Sequence, residues 1–107
     1  KNKRMGFFGS MFGNHSSAVV KEMIDKGAVI IDVRTPAEFQ GGHVAGSKNI
    51  PLQNIQSKVS EIKKMNKPVV LCCASGARSG QATGFLKQQG IQCENGGGWM
   101  QVNNLVR

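Results

Sequence analysis

The chain has 107 residues, enough for one domain with a modest core. Its 14 Lys and Arg against 6 Asp and Glu give a net charge of +8, but the basic residues are scattered and carry no helix-turn-helix, zinc-finger or RNA-binding pattern, so nucleic acid is not the expected partner. No apolar run approaches the roughly 18 residues of a membrane-spanning helix. The three cysteines, two of them adjacent, make no disulfide framework, and with His15 and His43 they make no metal-ligand cluster. Neither a metal nor a cofactor is expected. Free thiols point to a reducing, cytoplasmic compartment.

Residues 1–15 read as a basic arm with Phe7, Phe8 and Phe12 and no acid, and 16–107 as the domain. Glycines break helical continuity in the arm, which suits a mobile terminus or one that covers an apolar patch. A membrane-touching or docking peptide is the alternative. From Ser16 to Gly27 the pattern is helical, with Val20, Met23 and Ile24 on one face. The run AVIIDV, 28–33, reads as a strand buried on both faces. TPAEF, 35–39, starts a short helix: Thr35 caps it, Pro36 takes its first position and Glu38 completes a capping box. A short strand is expected around 48–50, then an amphipathic helix over 53–66 with Ile55, Val59, Ile62 and Met65 as its stripe.

PVVLCC, 68–73, is the second buried strand, followed by a helix over 79–89 with Ala82, Phe85 and Leu86 facing in and Gly90 as its stop. IQCE, 91–94, reads as a strand, NGGG, 95–98, as a turn and Trp99–Val106 as a last helix. Strands and helices alternating at this spacing imply an α/β domain with a mainly parallel sheet of about four to five strands flanked by helices.

The segment VVLCCASGARSG, 69–80, carries the chemistry. Counted from Cys72 it reads Cys-x5-Arg, the spacing of cysteine phosphatases; counted from Cys73 it reads Cys-x4-Arg, with Gly76 three residues on. Cys73 ends a strand and precedes a helix, where ligands of parallel sheets bind. The short loop Ala74, Ser75, Gly76, Ala77, Arg78, Ser79 can aim successive N–H groups into one anion-binding nest, and the following helix adds its N-terminal dipole. Both favour a thiolate, and a thiolate is a nucleophile at neutral pH. Cys72 points to the opposite sheet face and reads as a packed neighbour.

Three segments in order carry a resemblance. VIIDVRTPAEFQGGHVAGSKNIPL (29–52), CASGARS (73–79) and GGGW (96–99) are similar to the signatures of single-domain rhodaneses, a sulfurtransferase family, and together span roughly 17–105. The resemblance implies a three-layer fold and a two-step cycle. Cys73 takes the outer sulfur of a small anionic donor such as thiosulfate, or of a protein persulfide, and passes it to cyanide, a small thiol or a thiol protein. By analogy Arg78 holds the loop and attracts the donor, and an Asp32–Arg78 ion pair is expected from the strand ends. Arg34 is expected to support the loop, His43 to be a hydrogen-bonding turn residue and Trp99 an anchor near the site. Two departures from the family loop stand out: Ala74 where Arg is frequent, and Cys72 where an aromatic or other residue is usual. The competing readings are a non-catalytic persulfide carrier and a phosphatase or arsenate reductase. The latter calls for a longer loop, and Ser75, not a glycine, stands three residues after Cys72.

Overall fold

A computed structural model of the chain describes residues 17–106; the expected basic arm, 1–15, and the cap Ser16 lie outside them. Helix α1 (Ser17–Asp25) buries Val20 and ends at Gly27, which adopts φ 95° so that Ala28 N–H can turn back to the Met23 carbonyl at 3.0 Å. Strand β1 (Val29–Asp32) follows, then α2 (Pro36–Gln40), β2 (Lys48–Asn49), a 3₁₀ helix (Leu52–Lys58) and α3 (Val59–Met65). The chain continues through β3 (Val69–Cys73), α4 (Ala77–Gln88), β4 (Cys93–Gly98) and α5 (Trp99–Val106).

The four strands form one sheet in the order β2-β1-β3-β4, every neighbouring pair parallel. β3 lies inside the sheet and all five of its residues are buried, which explains its unbroken apolar run. Alternation along it sorts the core. Val69, Leu71 and Cys73 pack on one face with Ile31, Ile55, Ile62, Ala82 and Leu86 from the α3 and α4 side. Val70 and Cys72 pack on the other with Val20 of α1 and Val102 of α5. The two cysteines therefore face opposite layers, as their adjacency in a strand requires.

Three boundaries differ from expectation. The single helix over 53–66 is a 3₁₀ segment joined to α3, because Pro51 gives no side-chain cap and Lys58, at φ −109° and ψ 7°, breaks the α-helical run. Helix α4 begins at Ala77, two residues before the expected start, and Phe85 is only partly buried against the core. The expected NGGG turn is the last four residues of the six-residue β4, and the strand expected over 91–94 starts only at Cys93. Its glycines answer to crowding: a Cβ at Gly96 would lie 2.6 Å from Val102 Cγ2 and 2.9 Å from Val70 Cγ1. The ladder slips there, pairing Leu71 with Asn95 but Cys72 with Gly97. Among the described residues no helix is long and apolar enough to cross a membrane.

Candidate active site

Cys73 ends β3 at the carboxyl edge of the sheet, and the chain turns at Gly76, φ 105°, into α4. The turn wraps the sulfur. Gly76 N–H lies 3.0 Å from Sγ, Ser79 N–H 3.4 Å and the Ser79 hydroxyl 3.4 Å. Burial pushes the thiol up, but the Ser79 hydroxyl and the N–H groups of Ser79, Gly76 and Ser75 outweigh it, and its pKa falls below the ordinary thiol value. Ala74, Ala77 and Arg78 complete the loop. Cys73 itself is 1% exposed, while Ala74, Ser75 and Ala77 above it are open to solvent. Of the six loop residues, Gly76 and Ser79 bring their N–H groups to the sulfur, and Ser79 adds its hydroxyl.

The expected Asp32–Arg78 pair does not form. Asp32 is fully buried and binds Arg34 instead, with Nε at 2.9 Å from Oδ1 and Nη2 at 2.7 Å from Oδ2. The chain bends just after β1, so Arg34 N–H also reaches Oδ1 at 3.0 Å and both Arg34 bonds close within a short local loop. The same guanidinium sits 4.8 Å above the Trp99 ring centroid and donates to the Gly42 carbonyl at 2.7 Å. Trp99 packs edge-on against Gly42, where a Cβ would meet it at 3.2 Å. Arg34 and Trp99 therefore pack together beside Asp32 and Gly42, and no hydrogen bond runs from Arg34 to the 74–79 loop among the described residues.

Arg78 reaches across to α2 and pairs with Glu38. Glu38 also closes its capping box, accepting from Thr35 N–H at 3.0 Å while its own N–H donates to Thr35 Oγ1 at 3.2 Å. The sequence shows the cap; it does not show the arginine, because nothing in the spacing brings positions 38 and 78 together. His43 Nδ1 donates to the Phe39 carbonyl at 2.7 Å and its ring stacks on Phe39 at 3.7 Å, so it is a turn residue as expected.

A sequence profile of the rhodanese-like domain matches residues 16–105. The chain belongs to the rhodanese-like domain family. It is 46% identical over 63 residues to the Bacillus subtilis protein YqhL, covering 59% of this chain and 49% of that one. It is 44% identical over 62 residues to a sulfurtransferase of Allochromatium vinosum, covering 58% and 57%. With the thiosulfate sulfurtransferase PspE of Escherichia coli it shares 39% over 74 residues, 67% of this chain and 71% of the other. The chain thus spans about half the length of the first two. A crystal structure of a rhodanese-like domain protein from Staphylococcus aureus superposes with a TM-score of 0.68 at 28% identity, covering 81% of this chain and 86% of that one.

The other two cysteines of this rhodanese-like chain are buried. Burial, then the Asp32 charge, pushes Cys72 up to about 12. Burial pushes Cys93 up to about 11, and its S–H points at the Thr83 carbonyl, 3.6 Å away. One residue of the site escapes a sequence reading altogether: Asn95, whose amide lies under the loop and touches Ser79, Gly76 and Gly97. Read as part of a turn, it had no expected role.

Proposed function

We propose that the chain is a sulfurtransferase that carries sulfane sulfur as a persulfide on Cys73. One observation carries this reading: a single thiol at a sheet's carboxyl edge, with Gly76 N–H at 3.0 Å and Ser79 N–H and hydroxyl at 3.4 Å, its acidity raised by those donors. In the first step the Cys73 thiolate attacks the outer sulfur of the donor. With thiosulfate a Cys–S–S⁻ bond forms, the S–SO₃ bond breaks and sulfite leaves with the electron pair. In the second step cyanide or a thiolate takes the outer sulfur and the Cys73 thiolate returns. No proton has to move in either step, so no general base is needed, and the donors stabilise the anion throughout.

The sulfurtransferase names of the relatives agree with this reading. Arg78, neutralised by Glu38, acts in it as a holder of loop shape and not as a free cation for the donor. Ala74 adds no charge, so a protein persulfide is as suitable a donor as thiosulfate. Asp32, Arg34 and Trp99 brace the neighbouring strand end.

Mass spectrometry after incubation with thiosulfate tests it. The expected result is a gain of one sulfur atom on Cys73, lost on adding cyanide and absent from Cys73→Ser. Sulfur on Cys72, or none on the chain with either thiosulfate or a protein persulfide, overturns it. Phosphate release from an aryl phosphate that survives Cys73→Ser would favour the phosphatase reading instead.

A further inference from the structure

The Ser79 hydroxyl has one proton and two acceptors. Its Oγ lies 3.4 Å from Cys73 Sγ and 2.7 Å from Asn95 Oδ1. Backbone partners fix the orientation of the Asn95 amide. Its Nδ2 donates to the Gly76 carbonyl at 3.1 Å, and its Oδ1 accepts from Gly97 N–H at 2.9 Å. Both partners are backbone groups of one fixed polarity, so Oδ1 must face Ser79. The amide is also tightly placed, since a Cβ at Gly80 would lie 3.3 Å from its Nδ2. Ser79 is fully buried, so no bulk water relieves the competition.

We propose that Asn95 is a positioning residue of the Cys73 site: its Oδ1 competes with the Cys73 sulfur for the single Ser79 hydroxyl proton, and the hydroxyl turns from Asn95 to sulfur when negative charge arrives there. This rests on the reading of Cys73 as the sulfur-carrying thiol. In the neutral state the thiol S–H donates to Ser79 Oγ and the Ser79 O–H donates to Asn95. When the thiol loses its proton to solvent, the O–H rotates and donates to the thiolate, while Asn95 Oδ1 keeps the Gly97 N–H. The Ser79 O–H bond never breaks, and nothing is oxidised. Asn95 thereby favours the neutral thiol and holds back the last donor until the anion forms. The loop does not depend on Asn95 alone, because the Gly76 carbonyl also accepts from Gly80 N–H at 2.9 Å.

Arg78 on α4 is held by Glu38 on α2, Arg34 by Asp32 beyond β1, and Glu94 on β4 lies with Lys87. Cys72 beside it stays protonated at ordinary pH. His43 is turned to Phe39. Replacing Asn95 or Ser79 alters none of these charges.

The test is the pH dependence of Cys73 alkylation in the full chain, for wild type, Asn95→Ala, Ser79→Ala and the double variant. Asn95→Ala should release the hydroxyl to sulfur and lower the Cys73 pKa by about one unit, the scale of one charge-assisted hydrogen bond gained for a neutral one. Ser79→Ala should raise it, and the double variant should match Ser79→Ala. A shift from Asn95→Ala that is the same with and without the Ser79 hydroxyl, or an upward one with Ser79 present, overturns the proposal. If Asn95→Ala does not melt cooperatively, Asn95→Asp replaces it. Its charge raises the pKa in both backgrounds, and the rise should be larger with Ser79 present; equal rises overturn the proposal. Alkylation needs no sulfur donor, so a failure of persulfide formation in wild type counts against the transfer reading and leaves this measurement valid.

Discussion

Arg78 and Glu38, forty positions apart, meet in a two-pronged ion pair, Nη1 at 2.9 Å from Oε1 and Nη2 at 3.1 Å from Oε2. The pair fastens the first turn of α4, which supplies the Ser79 donors to Cys73, to the short helix α2. The Arg78 hydrogen bonds, then those from Thr35, draw the Glu38 carboxyl down to about 2. Glu38→Gln should therefore slow persulfide formation about tenfold, the scale of a slightly misaligned reacting group. Arg78→Ala should do the same, and the two together should be no worse, since both remove one contact. The pair also has a pH signature. A lowered carboxyl contributes stability above its unfolded value near 4.5, and that contribution is lost as pH falls toward about 2. Both side chains are more than a third exposed, so the effect is screened and small. Urea midpoints at pH 5 and pH 2.5 should fall less steeply for Glu38→Gln than for wild type.

The buried pair beside it is a different case. Asp32 is 0% exposed and Arg34 5%, and Asp32 is the carboxylate hydrogen-bonded to Arg34 among the described residues. Asp32→Ala leaves an uncompensated buried guanidinium and should cost about 3–5 kcal/mol of stability. Trp99 is the chain's single tryptophan and lies against Arg34, so its fluorescence follows both the unfolding and the local change. A loss under about 1 kcal/mol would show that the guanidinium escapes to water.

The parts of this architecture that were legible in the sequence are those set by local patterning. VIID and VVLCC are short β-branched or apolar runs that only a doubly covered strand explains, and Thr35, Pro36 and Glu38 announce their helix start by themselves. Cys73 was legible because strand, glycine and helix lie next to one another along the chain. Partners across the fold were not. Asp32 was expected to meet Arg78 because it ends its strand near the Cys73 loop, yet Arg34 is two residues away and reaches it first. Asn95 was hidden by its glycines, which look like a turn but make room for Val102 and for the Ala74 carbonyl.

The three thiols should separate by acidity. Cys73 lies below the ordinary thiol range, while Cys93 is held at about 11 and Cys72 at about 12. Iodoacetamide at pH 7 should label Cys73 alone in the native chain, and all three once urea unfolds it; peptide mass mapping reads this directly. Equal labelling of Cys72 in the native state would contradict its place in the core. The two raised thiols also carry a stability signature of the opposite sign to Glu38. Their contribution is complete below the unfolded value near 9 and is lost as pH climbs toward 11 and 12. The urea midpoint should therefore drop between pH 9 and pH 11, and Cys93→Ala should flatten that drop.

Two glycines of β4 divide stability from chemistry. A Cβ on Gly96 would press on Val102 and Val70, in the layer away from the reactive sulfur, and would also stand 3.1 Å from the Leu71 carbonyl. A Cβ on Gly98 would stand 2.9 Å from the Ala74 carbonyl, the first peptide of the loop itself. Gly96→Ala should thus lose about 1–3 kcal/mol, the usual cost of overpacking, while the folded fraction keeps a normal Cys73 pKa. Gly98→Ala should lose less stability and more function. Pushing the Ala74 peptide shifts Ser75 and Gly76 off the sulfur, so the Cys73 pKa rises and sulfur uptake slows. Urea midpoints and alkylation profiles of the two variants check both halves of this contrast. The same pattern of losses in both would mean that the loop and the core layer behind it yield as one body.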